Sequence, residues 1–225
     1  MIDSDTLRGL LTSIELKDAA TAAHTWRVTL YARTLAESVG ITGDRLRRLT
    51  VGAALHDIGK VDIEDAVLRK ADSLNDEEFE VMRRHPVLGY DRLVSMGVDD
   101  EETLALVRSH HERWDGLGYP DGLKGEAIPL VARYLAVVDV FDAMTSIRPY
   151  RESVGEAAAE RALEIIRAGA GSQHCGHCVE MFESLYRRNG ITWILHYYND
   201  GEHVPRFDAM EHLDDAVRDL KPGDS

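Results

Sequence analysis

Residues 44–60 read DRLRRLTVGAALHDIGK, and this stretch decides the fold class. Leucine and alanine recur in it at helical spacing, and Asp44 is placed to cap the helix at its N-terminus. The predicted helix runs directly into the pair His56-Asp57, which offers an imidazole nitrogen and a carboxylate oxygen from neighbouring backbone positions. The stretch therefore predicts a helix that delivers two side chains able to bind a metal.

Helix start and stop signals continue on both sides of this stretch. The preceding helix is expected to end at Gly40, and Asn75 with Glu78 forms a capping-box pattern at the start of a later one. Pro129 suits the first turn of a long apolar helix, whereas residues 113–122 carry three glycines and a proline and form a loop. The sequence therefore predicts an all-α fold.

The amino-acid composition changes near the C-terminus. Residues 191–198 are rich in β-branched and aromatic side chains, and Asn-Asp-Gly follows at 199–201, which is typical of a hairpin. A final helix is the alternative. We expect a domain at residues 1–184 and an accessory extension at residues 185–225, formed by a small hairpin or a helix.

Composition excludes several classes of protein. The net charge of −14 argues against binding to a nucleic acid polymer, because such surfaces are usually basic. No apolar run approaches the roughly 20 residues that span a bilayer, and no signal peptide pattern is present. The two cysteines lie close together and do not suggest a secreted disulfide framework. We expect a cytoplasmic protein without membrane contacts.

Histidines and aspartates near predicted helix ends suggest a metal site. Mixed imidazole and carboxylate ligands favour iron, manganese, zinc, cobalt or nickel over magnesium or calcium. The number of candidates exceeds what one ion uses, and a bridging carboxylate such as Asp57 can serve two ions roughly 3.5–4 Å apart. The candidate ligands are His24, His56, Asp57, His85, His110, His111 and Asp139.

Lys60 completes the chemistry that this pattern indicates. It follows Asp57 by three residues, so on a helix both side chains share one face. An ammonium group there can bind a phosphate oxygen and balance the charge that develops in the transition state. On spacing alone, a solvated surface lysine is an equal alternative.

The residues together resemble the HD-GYP domain, a branch of the HD phosphohydrolase superfamily, from about residue 17 to about residue 184. The resemblance is ordered and has several parts, which makes it far more specific than a lone His-Asp pair. Its parts are His24, residues 56–60 (HDIGK), His85-Pro86, residues 110–116 (HHERWDG), Gly118-Tyr119-Pro120 and residues 139–143 (DVFDA).

The resemblance implies a bundle of about seven helices and the hydrolysis of cyclic di-GMP to pGpG, in some members on to GMP. It implies attack by a metal-bridging hydroxide, with iron or manganese the usual ions. By position, His24, His56, Asp57 and Asp139 hold one ion, and Asp57 bridges to a second ion held by His85, His110 and His111.

Further roles are carried over from the same resemblance. Asp57 and Lys60 are the catalytic residues, and Lys60 binds the scissile phosphate. The other substrate contacts are expected at Tyr119, Asp142, Arg148 and Arg151. The Gly118-Tyr119-Pro120 loop is expected to contact a signalling protein. Apart from the resemblance, we expect that the chain can form a homodimer.

Two positions depart from the family pattern. Members with a third ion carry a glutamate four residues before the first histidine, and Ala20 stands there, so we expect two ions. A second departure is the run Gln-His-Cys-Gly-His-Cys at 173–178, which has the spacing of a thiol-redox or zinc motif. Its thioredoxin-like context is missing, so a plain loop–helix junction is the favoured interpretation.

Two other functions stay open at this point. The chain could be a catalytically quiet module that senses a cyclic dinucleotide or docks a partner. It could also hydrolyse another nucleotide, such as cyclic GMP-AMP or pGpG, because the motif does not fix the residues that read the bases.

Overall fold

The structure, a computed structural model, describes residues 2–146 and 156–197. In these ranges it contains eleven α-helices, two 3₁₀ helices and, as the only β-structure, an isolated bridge between Ala170 and His174. The 3₁₀ helices are Ile58–Asp62 and Gly125–Ala127. The α-helices are α1 (Ser4–Lys17), α2 (Ala19–Ser38), α3 (Gly43–Leu55), α4 (Asp65–Leu68), α5 (Asp76–Met82), α6 (His85–Ser95), α7 (Glu101–Ser109), α8 (Leu130–Thr145), α9 (Glu156–Ala168), α10 (Gly176–Arg187) and α11 (Thr192–Tyr197).

The all-α prediction is confirmed. The described α-helices outnumber the expected bundle of about seven, and three of them, α4, α5 and α11, are short, with four, seven and six residues. Helix α2 is the longest, at 20 residues, and it carries polar and charged side chains along its length. Across residues 2–146 and 156–197, no helix is both long and apolar enough to cross a bilayer.

The predicted helix ends are largely as observed. Asn75 and Glu78 form the expected capping box at the start of α5, and Gly40 takes a φ of +83° just past the end of α2. The prediction that Asp44 caps α3 was wrong, because α3 begins one residue earlier and Thr42 is its N-cap. Asp44 lies instead in the first turn, where its charge favours the helix dipole.

Helix α2 lies at the centre of the fold and packs against α1, α3, α8, α10 and α11. One core cluster joins α2 to α8 and α10, where Tyr31 meets Phe141 at a ring-centroid distance of 5.4 Å and Phe141 meets Phe182 at 4.9 Å. A second cluster joins α1, α2, α3 and α6 through residues such as Leu11 and Leu55. Full burial of each large apolar side chain stabilises the fold by about 1.5–3 kcal/mol.

Of the two alternatives expected for the C-terminal extension, a hairpin or a helix, the helix is confirmed over residues 192–197, which form α11. Ile191, Trp193 and Ile194 are buried in the cluster around α2, and this packing overrides their β-propensity. The hairpin turn at residues 199–201 lies outside the described residues. The domain boundary at residue 184 stays a prediction, and it falls within α10.

Candidate metal centre and active site

Two groups of metal-ligating side chains lie inside the helical bundle. The ligand atoms of each group lie within 4.8 Å of one another. One group comes from the start of α6 and the end of α7, and the other from α2, the end of α3 and α8. The groups are His85, His110 and His111, and His24, His56 and Asp139.

Main-chain carbonyl groups fix the orientation of three of these imidazoles. A carbonyl oxygen only accepts, so each Nδ1 atom must carry the proton and each Nε2 atom must present its lone pair. In each case the carbonyl belongs to the residue three positions earlier: His56 donates to Ala53 at 2.7 Å, His85 to Met82 at 2.8 Å and His110 to Val107 at 2.8 Å.

The Nε2 lone pairs of these three histidines face no hydrogen-bond donor in the described structure. The Nε2 atom of His56 is buried without a hydrogen-bond partner, and the Nε2 atoms of His85 and His110 lie 3.1 Å apart. Burial lowers the pKa of His85 to about 3, that of His111 to about 4 and that of His110 well below its usual value. Neutral imidazoles with converging lone pairs fit a divalent transition ion.

The carboxylate of Asp57 lies between the two groups and is almost fully buried. Its Oδ1 atom is 3.3 Å from Nε2 of His85, and its Oδ2 atom is 3.4 Å from Nε2 of His56. The Nζ atom of Lys60 donates to Oδ2 at 2.6 Å. Burial alone would raise the pKa of Asp57, but the neighbouring Lys60 and His56 outweigh it and hold that pKa well below its usual value.

His24 is enclosed by two aspartates of α8. Its Nε2 atom lies 3.1 Å from Oδ1 of Asp139, and its Nδ1 atom donates to Oδ2 of Asp142 at 2.8 Å. Burial would lower the pKa of His24, yet the hydrogen bonds with both carboxylates raise it to about 9. The same contacts lower the pKa of Asp139 against the effect of its burial. The pocket beside Nε2 of His24 therefore stabilises a positive charge.

Asp142 lies behind His24, away from solvent. It is 1% exposed, and both of its oxygens accept hydrogen bonds from Arg27, which sequence reasoning missed. Such burial favours a role in orienting His24 over the substrate contact expected for Asp142. The spacing of Arg27, one turn after His24 on α2, is the signal that could have revealed it.

Two glycines allow the close backbone approaches that shape the site. A Cβ atom at Gly59 would overlap the carbonyl oxygen of His85, so the 3₁₀ helix can meet the start of α6 only without a side chain there. A Cβ atom at Gly118 would overlap the backbone nitrogen of Arg113. Both glycines thus hold histidine-bearing segments in place.

The loop at residues 113–122 folds over the group that contains His111. The ring of Tyr119 packs on His111 at a centroid distance of 4.8 Å, and the guanidinium of Arg83 lies 4.8 Å from the same ring. Glu112, a second residue that sequence reasoning missed, is buried and accepts the backbone N–H groups of Asp121 and Leu123. These two hydrogen bonds hold the loop against the end of α7.

The histidine–cysteine cluster takes no part in either group. His174, Cys175 and Cys178 are buried, whereas His177 is exposed, so the four side chains do not converge in the described structure. Burial raises the pKa of the Cys178 thiol, which keeps it unreactive. Cys175 is the N-cap of α10, in agreement with the loop–helix junction favoured from the sequence.

Three further positions were named from the sequence. Ala20 is exposed in the first turn of α2 and offers no ligand. Arg148 and Arg151 lie outside the described residues, so their expected substrate contacts stay predictions. All other candidate residues, from His24 to Asp142, lie together in the bundle.

Comparisons with known proteins agree with this geometry. The family model described as HD domain matches residues 10–178. The cyclic di-GMP phosphodiesterase response regulator RpfG of Xanthomonas campestris is 45% identical over 152 residues, covering 67% of this chain and 40% of that protein. A cyclic di-GMP phosphodiesterase of Vibrio cholerae is 39% identical over 182 residues, covering 75% of this chain and 36% of that protein. The chain thus spans well under half the length of these relatives.

Solved structures show the same fold at lower identity. A cyclic GMP-AMP specific phosphodiesterase of V. cholerae has a TM-score of 0.63 at 20% identity, covering 96% of this chain and 52% of that one. The HD domain of the phosphodiesterase PgpH of L. monocytogenes, solved with cyclic di-AMP, has a TM-score of 0.56 at 16% identity, covering 81% and 97%. The family model matches most of the length of this chain, and the histidine–aspartate groups of the chain assemble inside a helical bundle. The chain therefore belongs to the HD domain family.

Proposed function

We propose that this chain is a metal-dependent phosphodiesterase that hydrolyses cyclic di-GMP to pGpG. The observation that carries the proposal is the position of Asp57. Its Oδ1 atom faces His85 of one group and its Oδ2 atom faces His56 of the other, which is the placement needed for a carboxylate shared by two ions. The relatives named as cyclic di-GMP phosphodiesterases support the choice of substrate.

The two groups of ligands would hold two divalent transition ions. Iron and manganese are the leading candidates, and zinc, nickel and cobalt are the alternatives. When bound, they supply Lewis acidity toward the phosphate oxygens and a nucleophilic water. The ligands of one ion would be His24, His56, Asp57 and Asp139, and those of the other Asp57, His85, His110 and His111.

Lys60 would bind the scissile phosphate. Its side chain is 22% exposed, and its ammonium group donates to Asp57, the carboxylate between the two groups of ligands. An ammonium group has three N–H donors, so a second N–H group would donate to a non-bridging phosphate oxygen. Lys60 would thereby stabilise charge that develops in the transition state.

Tyr119 would form one wall of the substrate site, because its half-buried ring packs directly on His111. Contacts from Arg148 and Arg151 to the substrate rest on the family resemblance. So does docking of a signalling protein to the Gly118-Tyr119-Pro120 loop, whereas formation of a homodimer is a separate proposal.

A second substrate has its own support. A 3'3'-cGAMP-specific phosphodiesterase of V. cholerae is 34% identical over 150 residues. Cyclic GMP-AMP shares the phosphodiester ring and one guanine with cyclic di-GMP, so both substrates belong in the same test.

The experiment is product analysis with anaerobically purified protein of measured metal content. Each cyclic dinucleotide is incubated with the wild type and with Asp57→Asn, and linear products are separated by chromatography. We expect pGpG from cyclic di-GMP with the wild type and a rate at least about 100-fold lower with the variant. Tight nucleotide binding without any product would instead identify a sensor module.

A further inference from the structure

We infer that Arg27 is a positioning residue for the proposed metal centre, because it holds the Asp142 carboxylate that aims the Nε2 atom of His24 at the ion. This inference rests on the proposed function. It concerns a residue outside both groups of ligands, and it assigns Asp142 to the support of His24.

The Arg27 guanidinium grips Asp142 with two donors. Its Nε atom donates to Oδ1 at 2.6 Å and its Nη2 atom to Oδ2 at 3.1 Å. The same Nη2 atom donates to Oγ of Ser146 at 2.8 Å, and that hydroxyl lies 2.9 Å from Oδ2 of Asp142. Arg27, Asp142 and Ser146 are 7%, 1% and 4% exposed. A buried, two-point grip of this kind leaves the carboxylate a single orientation.

The held carboxylate decides which nitrogen of His24 would keep its proton when an ion binds. Oδ2 of Asp142 only accepts, so Nδ1 of His24, at 2.8 Å, is the donor. The Nε2 atom faces Oδ1 of Asp139 at 3.1 Å, and it would present its lone pair when an ion takes the place of its proton. Outer partners of this kind orient the ring of a ligating histidine and fix its tautomer.

His24 needs this support more than its neighbours do. His56, His85 and His110 are each fixed by a main-chain carbonyl three residues earlier, which is a rigid acceptor. The acceptor for His24 is a side chain on a different helix, 118 residues away in the chain. A carboxylate on rotatable bonds fixes the ring only when it is itself fixed, and Arg27 supplies that restraint.

A purely structural role for the ion pair makes a different prediction. Tyr31 and Phe141 already join α2 to α8 through apolar packing, and a buried ion pair often adds little net stability. If Arg27 only tied the helices together, its loss would lower the free energy of unfolding, and the folded protein would keep its affinity for an ion at both groups of ligands. If it positions His24, only the group that contains His24 should lose affinity.

The test is titration of metal-free protein with Mn²⁺ by calorimetry and with Co²⁺ by visible absorption. The variants are Arg27→Lys, which keeps the charge and loses the two-point grip, and Arg33→Lys, a matched change on the same helix. Arg33 pairs with Glu37 outside the site. His24→Ala and His111→Ala identify which binding class belongs to which group of ligands.

We expect Arg27→Lys to weaken the class lost in His24→Ala by about 10–100-fold and to change its Co²⁺ spectrum. The class lost in His111→Ala should keep its affinity, as should both classes in Arg33→Lys. Should Arg27→Lys fail to fold by circular dichroism, Ser146→Ala carries the test with an expected weakening of about fivefold in the same class.

Unchanged affinity in both classes, or equal weakening of both, would overturn the inference. Failure of the wild type to bind two transition ions would overturn the proposed function instead, so the two failures are distinguishable.

Discussion

The Nε2 atoms of His85 and His110 lie 3.1 Å apart, although each ring already donates its Nδ1 proton to a main-chain carbonyl. Two lone pairs therefore face each other in a buried site, where the burial of both rings holds the pKa values low. A cation between the two nitrogens turns this repulsion into two bonds. The same residues thus cost stability in the metal-free chain and contribute stability in the loaded chain.

Metal binding should consequently raise the temperature of unfolding. With free Mn²⁺ at 100 times its Kd, linkage predicts about 2.7 kcal/mol of added stability. For a chain of this size that corresponds to about 5–10 °C. Differential scanning calorimetry of chelated and loaded protein measures the shift.

His110→Ala provides the comparison, because it removes one of the facing lone pairs together with a ligand. We expect the Mn²⁺-dependent shift to shrink by half or more, since one group of ligands is then incomplete. Equal unfolding temperatures with and without Mn²⁺ in the wild type would contradict the proposed metal centre.

Replacement of Lys60 should affect chemistry more than metal content. Lys60→Met removes the donor to Asp57 and to the proposed phosphate, and we expect kcat to fall by about 100–1,000-fold with metal stoichiometry unchanged. Steady-state kinetics with cyclic di-GMP and elemental analysis measure both quantities. Lys70→Met is the matched control, because Lys70 pairs with Glu78 outside the site. A Lys60→Met enzyme with wild-type kcat would show that this lysine is only a surface residue.

An added methyl group at Gly59 should disturb the site through packing alone. In Gly59→Ala the new Cβ would overlap the carbonyl oxygen of His85, and the 3₁₀ helix must move away from α6. We expect a loss of about 3 kcal/mol in the free energy of unfolding, and weaker metal binding at His85.

The control for this prediction is Gly9→Ala on α1, where the added methyl group would meet no atom within 4 Å. In the interior of an exposed helical segment this change should stabilise the chain by about 0.5–1 kcal/mol. Chemical denaturation of both variants measures the difference, and similar values for the two would show that the contact at Gly59 can relax freely.

The sequence alone predicted much of this arrangement because the relevant signals are local. Helical spacing around His56 and the capping box at Asn75 each depend on residues a few positions apart. The family resemblance then supplied the long-range grouping of histidines that no local pattern contains.

What the sequence could not predict depends on contacts between distant residues. Arg27 meets Asp142 115 positions later, and its spacing from His24 could indicate that it lies near the site but not which residue it binds. Residues 192–197 have strand-like composition, but they form a helix. Trp193 and Ile194 of this helix are buried in the core around α2. Tertiary packing determined both features, and the local propensity of the residues does not indicate such packing.

Glu112 illustrates such a contact and yields a last prediction. Its two carboxylate oxygens accept different backbone groups, Oε1 from Asp121 at 2.7 Å and Oε2 from Leu123 at 3.0 Å. Glu112→Gln leaves a single acceptor oxygen, so one N–H group loses its partner at a cost of about 1–3 kcal/mol. Because this loop carries Tyr119 against His111, KM for cyclic di-GMP should rise while metal stoichiometry stays at the wild-type value.

Hydrogen exchange measures the effect directly, since the amides of Asp121 and Leu123 should exchange faster in Glu112→Gln. Glu126→Gln, an exposed change of the same type, should leave exchange and KM unaltered. If both variants exchanged at the wild-type rate, the carboxylate would not be what secures the loop. That result would leave the ion pair of Arg108 with Asp121 and the packing of Tyr119 on His111 as contacts that hold the loop to the end of α7.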